Sequence, residues 1–183
     1  PPEIDPDVFM SLFLGVQFAT PIPLAQSGAA IYGFKGMFAM NGGRSFKNIP
    51  TPDPIGKELA WWREKPENKY EPERGQYALG VGVVVGTMPD VSFCFSASGM
   101  VVVSFPDPEV ILGVDVKVIE VPDTTATDEG GAEGTITGLI VIDDTAVKVA
   151  VSAQYDIPKI LRLKVPFGAY FPYSLKGTYV RLG

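Results

Sequence analysis

The chain of 183 residues contains no histidine. That removes Ser-His-Asp and Cys-His nucleophile systems and the usual zinc ligands, so metal chemistry would rest on oxygen donors alone. There is one cysteine, Cys94, so no disulfide forms within the chain. It reads as a small buried side chain in a strand, with a reactive thiol as the sharper alternative. The lack of disulfides fits a cytosolic protein and equally a bacterial secreted one, so the localisation stays open. Positive charge is scarce: 15 Lys and Arg against 21 Asp and Glu leave a net −6. No basic run is present to neutralise phosphates, which argues against a nucleic-acid or anionic-membrane partner. No run of about 18 apolar residues occurs, so no transmembrane segment is expected. The opening Pro1-Pro2-Glu3-Ile4-Asp5 is acidic and proline-broken, the opposite of a basic signal-peptide start. It reads as a boundary within a longer protein.

Glycine (20) and proline (17) are abundant, which suits many turns between short elements. Apolar residues make up 46% and charged ones 20%, as in ordinary globular proteins. The expectation is one all-β domain over 1–183, or a fragment of a larger protein, long enough to bury a core without staples. The stretch 76–121 organises the rest. In 76–87 the odd positions Tyr77, Leu79, Val81, Val83 and Val85 are large. The even positions Ala78, Gly80, Gly82 and Gly86 are nearly bare backbone. Such a face marks close approach by another backbone, a bend, or a ligand. Stretches 91–105 and 109–121 alternate in the same way, and Gly99 is expected to mark a bulge or kink.

Further strands are expected at 8–18, 29–40, 135–142, 146–155, 158–171 and 177–182, about nine in all. Asn41-Gly42-Gly43 should turn the chain. A proline-rich insertion, 44–75, interrupts the pattern and carries one short helix. Asp53 stands at its N-cap, Pro54 at its first position, and Pro66 stops it. Ile55, Leu59 and Trp62 form its apolar stripe. Nearly every other connection is short. The strands should therefore pair antiparallel as a meander, in a curved sheet, a barrel or a sandwich.

Few residues point to chemistry. Trp61 and Trp62 read as a lid on the sheet or as a ligand or partner contact. Gly80, Gly82 and Gly86 resemble a dinucleotide glycine pattern only superficially, because a strand and not a helix follows them. No cofactor is indicated. Asp123, Asp128, Glu129 and Glu133 share an acidic loop and form a weak calcium candidate whose spacing matches no established calcium loop. Glu58 and Asp115 are the candidate carboxylates for a glycan-acting enzyme. The apolar faces of nine strands could line a groove for a lipid-like ligand, or close into a core.

The segments 28–40 (G-A-A-I-Y-G-F-K-G-M-F-A-M) and 77–103 (Y-A-L-G-V-G-V-V-V-G-T-M-P-D, then F-C-F-S-A-S-G-M-V-V-V) carry a family likeness, as does Tyr155-Asp156-Ile157-Pro158. They resemble a bacterial domain of unknown function found in very large, strand-rich proteins. The resemblance covers most of the chain. It implies a module of a longer polypeptide and supplies no functional residues. The expected function is a non-enzymatic structural or interaction module whose partners are flanking domains of the same polypeptide. A binding module for an apolar or lipid-like ligand is the alternative, and a carboxylate-dependent glycan-acting enzyme the third.

Overall fold

The computed structural model describes residues 8–51, 53–88, 95–118, 135–157, 161–174 and 177–182. Nine strands form one antiparallel sheet in simple sequence order: β1 (Met10–Pro23), β2 (Ala29–Arg44), β3 (Tyr70–Thr87), β4 (Phe95–Phe105), β5 (Glu109–Val118), β6 (Thr135–Ile142), β7 (Ala146–Ile157), β8 (Leu161–Pro172) and β9 (Tyr179–Leu182). The sheet is open and does not close into a barrel. Two helices, α1 (Pro54–Arg63) and α2 (Pro66–Lys69), lie between β2 and β3.

The local chemistry explains the elements. Asp53 caps α1 by accepting the Gly56 N–H at 2.9 Å, and Pro54 opens the helix. The β6–β7 turn is an Asx turn. Asp143 Oδ1 accepts the backbone N–H of Thr145 (2.8 Å) and of Ala146 (2.9 Å).

Several details differ from expectation. Asn41-Gly42-Gly43 does not turn the chain. Asn41 has φ of 49° and sits at a register shift, and β2 runs on through Gly42 and Gly43 against Pro72 and Glu71. Between Met40↔Tyr77 and Gly42↔Pro72 the single residue Asn41 faces residues 73–76, so the extra residues bulge from β3, and the Asn41 side chain holds that bulge by accepting the Gly75 N–H at 2.9 Å. The proline-rich insertion is correspondingly shorter, since β3 begins at Tyr70. Pro72 is tolerated because this end of β3 pairs only with β2. Gly99 makes no bulge: β4 keeps continuous register with β3 and β5 through it. On α1 the buried line is Ile55, Glu58 and Trp61, with Leu59 and Trp62 half-buried beside it.

Registration sorts the sheet into two faces. The face under α1 carries small residues: Ala78, Gly80 and Gly82 on β3, Gly113 on β5, Thr137 on β6, Ala150 and Ser152 on β7, and Gly168 on β8. Side chains of α1 fill the space left over β5 and β8. A Cβ at Gly113 would stand 2.3 Å from the Trp62 ring, and one at Gly168 3.0 Å from Ile55. A Cβ at Gly82 would stand 2.6 Å from the Gly99 carbonyl oxygen. The bare face of β3 thus lies against the chain's own backbone and against Met37, Met100 and Val102. Alanine at Gly82 meets rigid backbone and at Gly113 a seated indole. Each substitution should lower stability by about 1–3 kcal/mol, read as a drop in the denaturant midpoint, whereas Gly99→Ala, with no neighbour nearer than 3.8 Å, should be neutral or mildly stabilising.

Candidate functional site

The opposite face of the sheet is the candidate site. Alternation puts the large side chains there: Leu12, Leu14 and Val16 on β1, Phe34 on β2, Leu79, Val81 and Val83 on β3. Val101 on β4, Leu112 and Val114 on β5, Ile136 and Ile140 on β6, Val149 and Val151 on β7 continue it. Leu163 and Val165 on β8 and Val180 and Leu182 on β9 complete the face. From Tyr77 onward in β3, and across β4 to β9, no registered side chain on this face is charged; the exception on this side is Glu71, opposite Gly43 beyond the irregularity in β3. Other polar atoms occur only near strand ends, on Tyr77, Thr87 and Tyr155.

Nothing among the described residues covers this face. Val81 at its centre is 64% exposed, and no large side chain on it is fully buried. About twenty half-exposed aliphatic and aromatic side chains sum to on the order of 1,000 Å², where the largest apolar patch of a typical monomer is roughly 300–600 Å². The face is also hollow. A groove of about 720 Å³ is walled by residues of six consecutive strands, from Phe34 on β2 to Val151 on β7. A single void touching six strands on one side requires the sheet to curl toward that side. One row across the groove reads Phe34, Val83, Gly99, Val114, Gly138, Val151, with glycine in two of the four central strands. Those glycines deepen the floor.

The residues singled out from sequence lie on the other side. Trp61 is 1% exposed. Its indole N–H donates to the Lys69 carbonyl at 2.8 Å and its ring packs edge-on against Tyr70. Trp62 donates to Asp115 Oδ2 at 2.8 Å while its ring covers Gly113. Gly80 and Gly82 face Met37, Met100 and Val102, and Gly86 is buried between Ala30 and Ser96 in the ladder. The calcium candidates Asp123, Asp128, Glu129 and Glu133 lie outside the described residues, as does Cys94.

The two candidate carboxylates are held apart in separate roles, both beneath α1. Asp115 accepts from Trp62 and from the Thr137 hydroxyl at 2.8 Å each. Glu58 is 4% exposed and joins Arg44 at 2.5 Å and Lys148 at 2.8 Å. Arg44 also binds Glu109, and Lys148 binds Asp143 at 2.8 Å. This five-charge cluster was missed from sequence. Its signal was a lysine among the small residues of β7, Ala146-Val147-Lys148-Val149-Ala150, on the face that needs a cover. Neither Glu58 nor Asp115 lines the groove.

The cluster sets its own electrostatics. Burial opposes the charge on Lys148, but its bonds to Asp143 and Glu58 outweigh burial and raise its pKa. Burial likewise opposes charge on Arg44, and Glu58 and Glu109 more than restore it. Burial pushes Glu109 above the ordinary carboxylate range despite Arg44. Burial would also raise Asp143, yet Lys148, Thr145 and Ala146 hold it well below.

The raised pKa of Lys148 makes its contribution complete at neutral pH and lost as pH climbs above about 10.5. The depressed pKa of Asp143 makes its contribution present above about 3.8 and lost as acid passes through the lower folded value. Thermal melts should therefore fall at both extremes, and Lys148→Met should flatten the alkaline limb. Glu58→Ala leaves Arg44 with Glu109 alone and Lys148 with Asp143 alone, and should cost about 1.5–3 kcal/mol by denaturant unfolding.

No family model matches this chain, and neither a curated protein nor a solved structure is found similar to it.

Proposed function

We propose that this domain is a non-enzymatic binding module that holds a lipid-like ligand, its apolar chains lying in the trough of the curved sheet. The observation that carries the reading is a hollow groove walled by six strands, with no charged residue among those that line it. Large aliphatic side chains left half in water across a whole face destabilise nothing by themselves. They represent burial not yet made, worth roughly 25 cal/mol for each Å² that a guest removes from water. An apolar chain suits such a wall, because it asks for contact area and for no hydrogen-bond partner. The concave shape favours a flexible guest over a flat protein surface. The broader reading, a structural or interaction module of a larger β-rich protein, is supported by the way the apolar face runs to both sheet edges, at Leu14 and Leu182. The two readings are compatible if the trough belongs to a longer assembly.

Gly99 offers a clean test. It lies on the groove floor in regular register, with no positive φ and no atom within 3.4 Å of a would-be Cβ. Gly99→Leu should fill the trough while leaving the melting temperature unchanged or higher. Binding of a fluorescent long-chain fatty acid, measured by titration, should weaken at least tenfold in this variant, and native mass spectrometry of the wild type should show bound lipid. Equal binding by the two folded proteins, or none by either, would sink the reading.

A further inference from the structure

The two outer edges of the sheet are built differently. At one, β9 is four residues long and carries Arg181, and the part of β8 that β9 leaves unpaired holds Lys164 and Pro166. Short strands, charges and proline are the means by which proteins block edge-to-edge pairing. At the other, β1 keeps unbroken register with β2 from Met10 to Gln17, reading M-S-L-F-L-G-V-Q. That segment has no charge, no proline and no bulge. Among the described residues β1 pairs with a strand on one side only. Its trough-side residues Leu12, Leu14 and Val16 are 44–58% exposed. A long, regular, neutral edge is a strand-pairing site.

We propose that β1 pairs antiparallel with β1 of a second copy of this chain, about a two-fold axis normal to the sheet. The segment is self-complementary in that arrangement. Apolar side chains meet apolar ones on the trough side, and no like charges face each other although each copy carries a net −6. Glutamate or lysine anywhere in the segment would have placed a charge near its own copy. The pairing is isologous, so among the described residues it uses the unguarded edge of each copy and leaves the guarded β8–β9 edges outside. Assembly stops at two chains and does not run on into a fibre. The axis normal to the sheet turns both troughs to the same side, and Leu12, Leu14 and Val16 become the seam of one continuous apolar surface. The argument rests on the edge of β1 and is independent of what the trough holds.

Light scattering after size exclusion, joined to hydrogen exchange across a concentration series, tests the idea. The wild type should have twice the 19.7 kDa chain mass, and amide protection in residues 10–17 should rise with concentration. The double variant Leu12→Lys with Leu14→Lys should run at the single-chain mass with an unchanged circular dichroism spectrum. Leu112→Lys, on the trough floor away from β1, should remain paired. A wild type of single-chain mass overturns the proposal. So does a pair that Leu112→Lys separates and the β1 variant does not, which would mean contact through the faces. Should the double variant fail to fold, the wild-type exchange series decides, and protection in residues 10–17 that is independent of concentration overturns it.

Discussion

A shortage of cover governs this molecule. Nine strands make a sheet on the order of 40 Å wide, while a ten-residue helix is only about 15 Å long and 10 Å across. One such helix cannot bury both faces of one such sheet. The chain resolves the conflict by giving α1 a seat over β5 to β8 and leaving the other face bare. Residue size follows from that choice and reverses the usual layout. Glycine lies directly beneath the α1 side chains, at Gly113 under Trp62 and Gly168 under Ile55, with Ile111, Leu139 and Val141 buried around them. Other large side chains lie where nothing presses down.

The seat itself is specified by polar contacts more than by fit. Arg44 reaches from β2, Glu109 from the start of β5 and Lys148 from β7, and all three converge near Glu58 on α1. Trp62 adds a bond to Asp115, and Arg63 one to Thr137 at 3.2 Å. A buried ion cluster contributes modest net stability, because desolvation offsets most of the attraction. It does penalise every misplaced alternative, since a shifted helix would strand charges without partners. Apolar contacts alone, mostly alanine, glycine and valine below, would let the helix slide. The same polar contacts account for the tryptophans and both candidate carboxylates, so the residues that looked chemically active in isolation act together to hold one element in place.

Local pattern carried most of the architecture. Alternation along the strands revealed nine of them and the meander, and Asp53-Pro54 located the start of α1. What escaped was long-range. Asn41-Gly42-Gly43 has the composition of a turn, and only its pairing with 70–72 shows it to be the interior of a longer strand, opposite a bulge in β3. Gly99 looked like a kink because a glycine in a strand is locally weak, yet its neighbours Val83 and Val114 keep it straight. The sides of the sheet could be listed residue by residue, but which side α1 would cover was invisible. That depends on Arg44, Glu109 and Lys148 meeting Glu58 across 104 positions of sequence. The bare face of β3 reads from sequence as a possible binding surface and the apolar faces as either a groove or a core, because burial is a property of the whole sheet and not of a strand.

The pairing of every strand with its sequence neighbours has a consequence for how such a domain varies. No crossover ties distant strands together, so the width of the sheet is not set by topology. Removing a hairpin such as β4–β5 would bring β3 beside β6 with the antiparallel sense preserved, and inserting one would do the reverse. Each such event changes the width by about 10 Å, the spacing of two strands, and keeps the alternation of faces intact. A chain of this kind can be lengthened or shortened in whole hairpins, with the capacity of its apolar side scaling in the same steps.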